Sequence, residues 1–294
     1  MPSSARGKAI GCAVVLAATL ASAQAHAYCR TSACGETSGQ VCTPANGDDC
    51  GKPLFWPTKC LGYSVQEDGS SQVSVDSIEQ IAGQAFGAWT SAACAGGTPG
   101  IGIADLGPIA CNRPEYNEQA GNANVIMFRD AEWPYSGQGN TLALTTVTFN
   151  LDTGEIYDAD LEVNGTSDVN ITIDDVNVQY DLLSILTHEA GHMLGLAHSW
   201  QPDATMKIDY VPGDTSLRTL HQDDIDGICA AYPPTTAKTC DPTPRHGFAS
   251  ECGSPDPEGE EGCSCSAPGK LGVPHALVIA GILAGTFTRR RRSC

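Results

Sequence analysis

The sequence predicts an α+β domain, a mixed twisted sheet with two or three helices. Three observations carry that expectation. Short β-type runs at residues 61–65, 101–103, 123–128 and 142–149 are bounded by Gly, Pro, Ser and Asp turn residues. Between the first two runs, Ile78, Ile81, Ala82, Ala85, Phe86 and Trp89 recur at helical spacing. After the last, the apolar residues of 180–186 lead into a histidine-rich stretch. Strands gathered ahead of that stretch give a layered domain with a mixed sheet.

The elements follow in order. Asp76, with Glu79 three residues on, reads as the cap of the first helix, which ends before Cys94. Asp152-Thr153-Gly154 turns the chain, so residues 155–157 and 161–163 continue the fourth run as a hairpin. Residues 166–179 read as loop and short strand. A last helix is expected over residues 217–232, opened by Gln222-Asp223-Asp224.

The two ends read differently from this body. Arg6 and Lys8 precede an apolar run that closes on Ala25-His26-Ala27, the pattern of a secretory signal peptide over residues 1–27. Residues 28–53 form a Cys-rich N-terminal extension, and residues 54–232 the main domain. Prolines and acidic residues mark 233–264 as a Cys-containing linker. Residues 265–294 form an apolar segment closed by Arg289–Arg292, expected to anchor the chain with its C-terminus cytoplasmic.

Nine of the 16 basic residues lie between leader and tail, against all 34 acidic ones, leaving the body at a net charge of −25. Phosphate would be repelled, which excludes nucleic acid as a partner. Ten cysteines between Cys29 and Cys252 suggest up to five disulfides in an exported protein, with the pairing open.

The chemistry concentrates in residues 187–199, which hold three of the seven histidines and read H-E-x-x-H-x-x-G-x-x-H. On a helix, His188 and His192 lie one turn apart on one face, so both imidazoles reach one zinc ion. Gly195 is free to adopt positive φ, turning the chain so that His198 supplies a third ligand. Three protein ligands leave a fourth position open, the mark of a catalytic site. Glu189, beside them, is placed to act as general base.

This stretch is identified as the metzincin signature, and further stretches resemble the matrixin branch. Ser199 follows the third histidine, residues 203–210 resemble the Met-turn, residues 220–228 the matrixin terminal helix, and residues 149–164 the strand region before the active-site helix. The resemblance covers about residues 54–232. It implies the metzincin zinc-protease fold, with Met206 as a thioether floor beneath the zinc site and Tyr210 lining the pocket for the side chain after the scissile bond. It also implies that residues 142–145, with Leu142, Ala143 and Leu144, form an edge strand that pairs with an extended substrate. Asp223 either braces the Met-turn or caps the last helix. One catalytic Zn2+ is implied; Ca2+ would find carboxylates at Asp158, Asp160 or Asp174. A second zinc is not expected, because the loop before residue 150 has no histidine.

Two departures stand out. The residues between leader and main domain are too few for a matrixin pro-domain. The thiol that blocks zinc in that family is only echoed, at Cys50-Gly51-Lys52-Pro53 and at Cys252-Gly253-Ser254-Pro255-Asp256. The C-terminal order of cysteine pair, apolar run and arginines resembles a myxobacterial surface-sorting signal, with Cys263 or Cys265 as the lipid-carrying residue.

The expected protein is therefore a zinc-dependent endopeptidase, an exported monomer acting on extracellular proteins or peptides. It would be secreted, or held at the cell surface and outer membrane by its C-terminal segment. The alternative is a surface-anchored protein-binding module with an inactive metalloprotease domain. Its mark would be loss of Glu189 or of a ligand, and all four residues are present.

Overall fold

The computed structural model describes residues 28–33, 52–135, 141–235 and 240–253, and the backbone of 275–280 and 283–284. The leader, Cys50, Cys263, Cys265 and the arginine block lie outside the described residues.

The chain runs β1 (Cys29–Arg30), β2 (Cys60–Val65), α1 (Val75–Thr90), β3 (Gly102–Asp105), β4 (Val125–Arg129), β5 (Ala143–Phe149), β6 (Ile156–Asn164), β7 (Ile171–Thr172), β8 (Tyr180–Asp181), α2 (Leu182–Met193), β9 (Leu196–Ala197), β10 (Asp209–Tyr210), α3 (Gln222–Ala231), β11 (His275–Ala280) and β12 (Leu283–Ala284). The main sheet has the order β11-β5-β6-β4-β2-β3. β3, β2, β4 and β6 are mutually parallel neighbours, whereas β5 is antiparallel to β6 and to β11. Within the domain this is a five-stranded mixed sheet with three helices, an α+β fold.

The six apolar residues expected on the inner face of α1 are those the helix buries. Its cap differs from the expected one: Ser74 accepts from the Ser77 N–H, and Asp76 sits in the first turn. A serine hydroxyl one residue ahead of Val75 reaches the orphan donor that Asp76, already helical, faces away from. α1 and α2 pack on each other and on the sheet. Alternation along β4 sends Ile126 into this main core. Val125 and Met127 point the other way, into a second cluster with Ile109, Cys111, Ala123 and Cys252. The turn between β5 and β6 falls where expected, with Gly154 at φ 78°.

Both flanks of the domain are fastened to it. β1 pairs with β9, and Arg30 donates to the carbonyls of Gly195 and Leu54. On the other side, the packed unit extends beyond Tyr232. Residues 240–253, expected as linker, are tied down by Cys60–Cys240 and Cys111–Cys252, while Cys94–Cys229 holds α3 to the end of α1. Cys252 is thus spent in a disulfide and supplies no zinc-blocking thiol. Cys29 is also disulfide-bonded. These bridges fit an oxidising, exported setting.

The last helix is shorter than expected. A 3-10 turn at Ser216–Arg218 precedes it, and α3 begins at Gln222 with His221 as its cap. The apolar C-terminal segment, expected to anchor the chain, contributes the strands β11 and β12. No helix among the described residues is long and apolar enough to cross a membrane.

Candidate metal centre and catalytic groove

α2 is fixed at both ends. At its start, Asp181 caps the Ser184 N–H at 2.8 Å, while Arg218 grips the same carboxylate at 2.8 and 2.6 Å. At its end, the chain leaves through Gly195 at φ 84°, as the motif requires. A Cβ there would lie 2.6 Å from the Leu54 carbonyl oxygen, so only glycine fits. Trp56 Nε1 donates to the Met193 carbonyl and the Tyr232 hydroxyl to the Leu194 carbonyl, fastening this turn.

The three histidines converge. His192 Nε2 lies 3.1 Å from His188 Nε2 and 3.2 Å from His198 Nε2. Two of the rings are oriented from behind: His188 Nδ1 donates to the Thr205 carbonyl at 2.7 Å, and His192 Nδ1 to the Leu196 carbonyl at 2.9 Å. With the proton on Nδ1, each Nε2 carries a lone pair facing the others, an arrangement that only an electropositive centre satisfies. A tetrahedral zinc at about 2.0–2.1 Å from each nitrogen spaces its ligands about 3.3 Å apart, so the donor set fits that ion. Burial, reinforced by the neighbouring rings, holds His188 and His198 well below the usual imidazole range; burial alone lowers His192 to about 4. All three are therefore neutral and ready to ligate at pH 7. Among the described residues they are the one group of three or more side chains placed to share a metal ion.

Glu189 faces β5. Its Oε2 accepts from the Thr145 hydroxyl at 2.6 Å. Thr145 thus joins the strand expected to bind substrate to the residue expected to act as base. Leu142, Ala143 and Leu144 lie just ahead of it, all buried.

Met206 lies beneath α2 and imposes a residue on the motif itself. A Cβ on Gly191 would come within 2.3 Å of Met206 Sδ and 2.7 Å of the Trp89 ring. A side chain at the second variable position of the motif would therefore displace the floor beneath it. The bracing of the Met-turn falls to Asp224. Its carboxylate accepts from the backbone N–H groups of Thr205 and Met206, at 2.7 and 3.1 Å, and of His221 at 2.8 Å. Asp223, expected either to brace the Met-turn or to cap the last helix, does neither and accepts from the Ser199 hydroxyl at 2.5 Å, while His221 and Asp224 make the cap. The spacing of two adjacent aspartates gives no signal to tell them apart; only the twist of α3 does.

Tyr210 is fully buried. Its hydroxyl accepts from the Asp181 N–H at 2.9 Å and donates to the Asp214 carbonyl at 2.7 Å, tying β10 to the start of α2. Burial pushes its phenol up to about 12.

Asp158 and Asp160 project together from β6, both buried. Asp160 accepts from the Val125 and Glu115 N–H groups at 2.9 and 3.0 Å. Burial, then the Asp160 charge, raises Asp158 well above the carboxylate range, so it keeps its proton and shares it with Asp160, itself raised to about 7. Asp174 is exposed and accepts from the Val176 N–H. The three carboxylates form no metal-ligating group among the described residues.

Comparison with known proteins agrees with this geometry. Residues 55–233 match the Matrixin family. Neutrophil collagenase of Homo sapiens is 42% identical over 86 residues, covering 26% of this chain and 18% of that protein. Matrix metalloproteinase-C of Caenorhabditis elegans is 28% identical over 218 residues, 68% of this chain and 32% of its own length. Matrilysin of Homo sapiens is 39% identical over 100 residues, 34% of each chain. The matches thus span about a third or less of these relatives. With the match reaching from Phe55 to Pro233 and the histidine triad, Met206 and α3 assembled inside it, the chain belongs to the matrixin family.

Proposed function

We propose that this protein is a zinc-dependent endopeptidase that hydrolyses peptide bonds of extracellular proteins. The observation that supports this most is the convergence of three neutral imidazoles, two of them oriented from behind, beside Glu189 and β5. His188, His192 and His198 would hold the metal. Zinc, when bound there, polarises the scissile carbonyl and brings the pKa of water towards roughly 7.

The chain's own groups do the rest. Glu189 Oε2 takes a proton from the attacking water and returns it to the leaving amine nitrogen. The Thr145 hydroxyl orients that carboxylate and stabilises its ionised form. Residues 142–145 offer backbone N–H and C=O groups to an extended substrate, which aligns the scissile bond with the triad. Tyr210, through its bonds to Asp181 and Asp214, fixes the opposite wall. The leader pattern and the disulfides support export, and the apolar, arginine-ended tail supports tethering of a monomer at the cell surface. This reading assigns no role to calcium.

Digestion of casein and gelatin by the purified protein freed of its C-terminal segment, with and without a zinc chelator, tests the proposal. Chelator-sensitive cleavage is expected, restored by added zinc. Lack of cleavage of any protein substrate by zinc-loaded protein whose C-terminal segment has been removed would favour the inactive binding module.

A further inference from the structure

The substrate-binding wall is already paired. β11 runs antiparallel along β5 from His275 opposite Phe149 to Ala280 opposite Leu144, which places Ile279 opposite Thr145. A few residues later, β12 runs parallel to β10, with Leu283 opposite Asp209 and Ala284 opposite Tyr210. β5 and β10 flank the triad: Thr145 of β5 bonds Glu189, and β10 follows the Met-turn. One stretch of the C-terminal segment therefore engages both walls, antiparallel to one and parallel to the other. An extended peptide held by strand addition would use the same backbone groups of β5.

Burial points the same way. His188, Glu189 and His192 are fully buried, His198 is 1% exposed, and Leu142, Ala143, Leu144 and Thr145 are each 1% exposed or less. The triad, Glu189 and the strand beside them are thus covered rather than open to solvent. The sequence of β11, His-Ala-Leu-Val-Ile-Ala, is uncharged and carries adjacent β-branched residues, as a strand against a buried edge requires. It belongs to the same chain as β5, so the pairing is intramolecular and independent of protein concentration.

We propose that His275–Ala280 is the groove's own ligand in cis, a strand that occupies the substrate edge and keeps the enzyme latent until it is withdrawn. The latency rests on the endopeptidase reading; the occupancy does not. A segment paired along β5 is not at the same time in a bilayer, so surface anchoring through this segment and latency exclude each other. Insertion of the tail into a membrane would open the groove.

The test uses the full chain, loaded with zinc, as wild type and as the double variant Leu277→Pro/Val278→Pro. Adjacent prolines remove one N–H facing β5 whichever of the two faces it. Amide hydrogen exchange across β5 and cleavage of a quenched fluorescent peptide are both read. The β5 amides that face β11 are expected to exchange at least tenfold faster in the variant, with β2, β4 and β6 unchanged, and peptide cleavage to rise severalfold. A synthetic peptide of residues 271–284, added to the variant, is expected to raise the apparent KM without changing kcat. Unchanged exchange on β5 overturns the occupancy. Faster exchange with cleavage equal to that of an active wild type overturns the latency. Faster exchange with both proteins inactive sustains the occupancy and overturns the endopeptidase reading instead.

Discussion

The floor and the wall of the groove are built by different means. On the floor, α2, β9, the Met-turn and α3 are held together by side chains that bond backbone: His188 to Thr205, His192 to Leu196, and Asp224 to Thr205 and Met206. Little there moves without breaking several bonds at once. The wall, β5, offers mainly backbone groups, and Thr145 is the side chain through which it meets Glu189. Its outer side is paired with a strand from far along the chain. On the proposed reading the floor fixes chemistry and the wall governs access, so the two should fail in different ways.

Substitutions on the floor should cost most. Asp224→Ala strands two buried backbone N–H groups and a half-buried third, and is expected to cost on the order of 3 kcal/mol of stability. Chemical denaturation would show it, with a loss of zinc affinity because Thr205 no longer orients His188. Gly191→Ala should cost about 1–3 kcal/mol by overpacking against Met206 and Trp89. Part of that loss should return in a Met206→Ala background, which a double-mutant cycle measures. On the wall, Thr145→Val should leave stability and KM nearly unchanged. Loss of one charged hydrogen bond, about 1.5 kcal/mol at the low end, predicts a kcat lower by roughly tenfold.

The smallest effect lies behind the wall, at Asp158. Its raised pKa and that of Asp160 mean the folded state binds more protons than the unfolded one between the ordinary carboxylate range and about 7. The pair's contribution to stability is present below that window and lost as pH rises through it. Asp158→Asn removes the shared ionisation, so its melting temperature relative to wild type should climb by a few degrees from pH 5 to pH 8. The histidine triad, shifted the opposite way, is present in both proteins and cancels in the difference.

The floor was legible in sequence because its parts are local. His198 lies six positions after His192, and only a helix followed by a glycine turn brings both to one point. Other parts were not legible, for reasons of geometry. Gly191 looked like an arbitrary variable position, since the sulfur that excludes a side chain comes from Met206 in a later turn. Asp223 and Asp224 are equivalent on paper and differ only by the rotation of α3. Arg218 on Asp181 and Thr145 on Glu189 join residues 37 and 44 positions apart, beyond any helical or hairpin spacing. The wall's outer pairing was least visible. The apolar run near the C-terminus satisfies a membrane and a sheet edge equally well, and composition does not separate them.

The central claim is that zinc is held by His188, His192 and His198 while Glu189 moves the proton. Glu189→Ala separates the two roles. Zinc content by elemental analysis and casein cleavage should be measured on the same preparations of wild type and variant, each freed of its C-terminal segment. The account predicts one zinc per chain in both, and cleavage lower by several orders of magnitude in the variant. Cleavage retained at anything near the wild-type rate, with zinc bound, would contradict it.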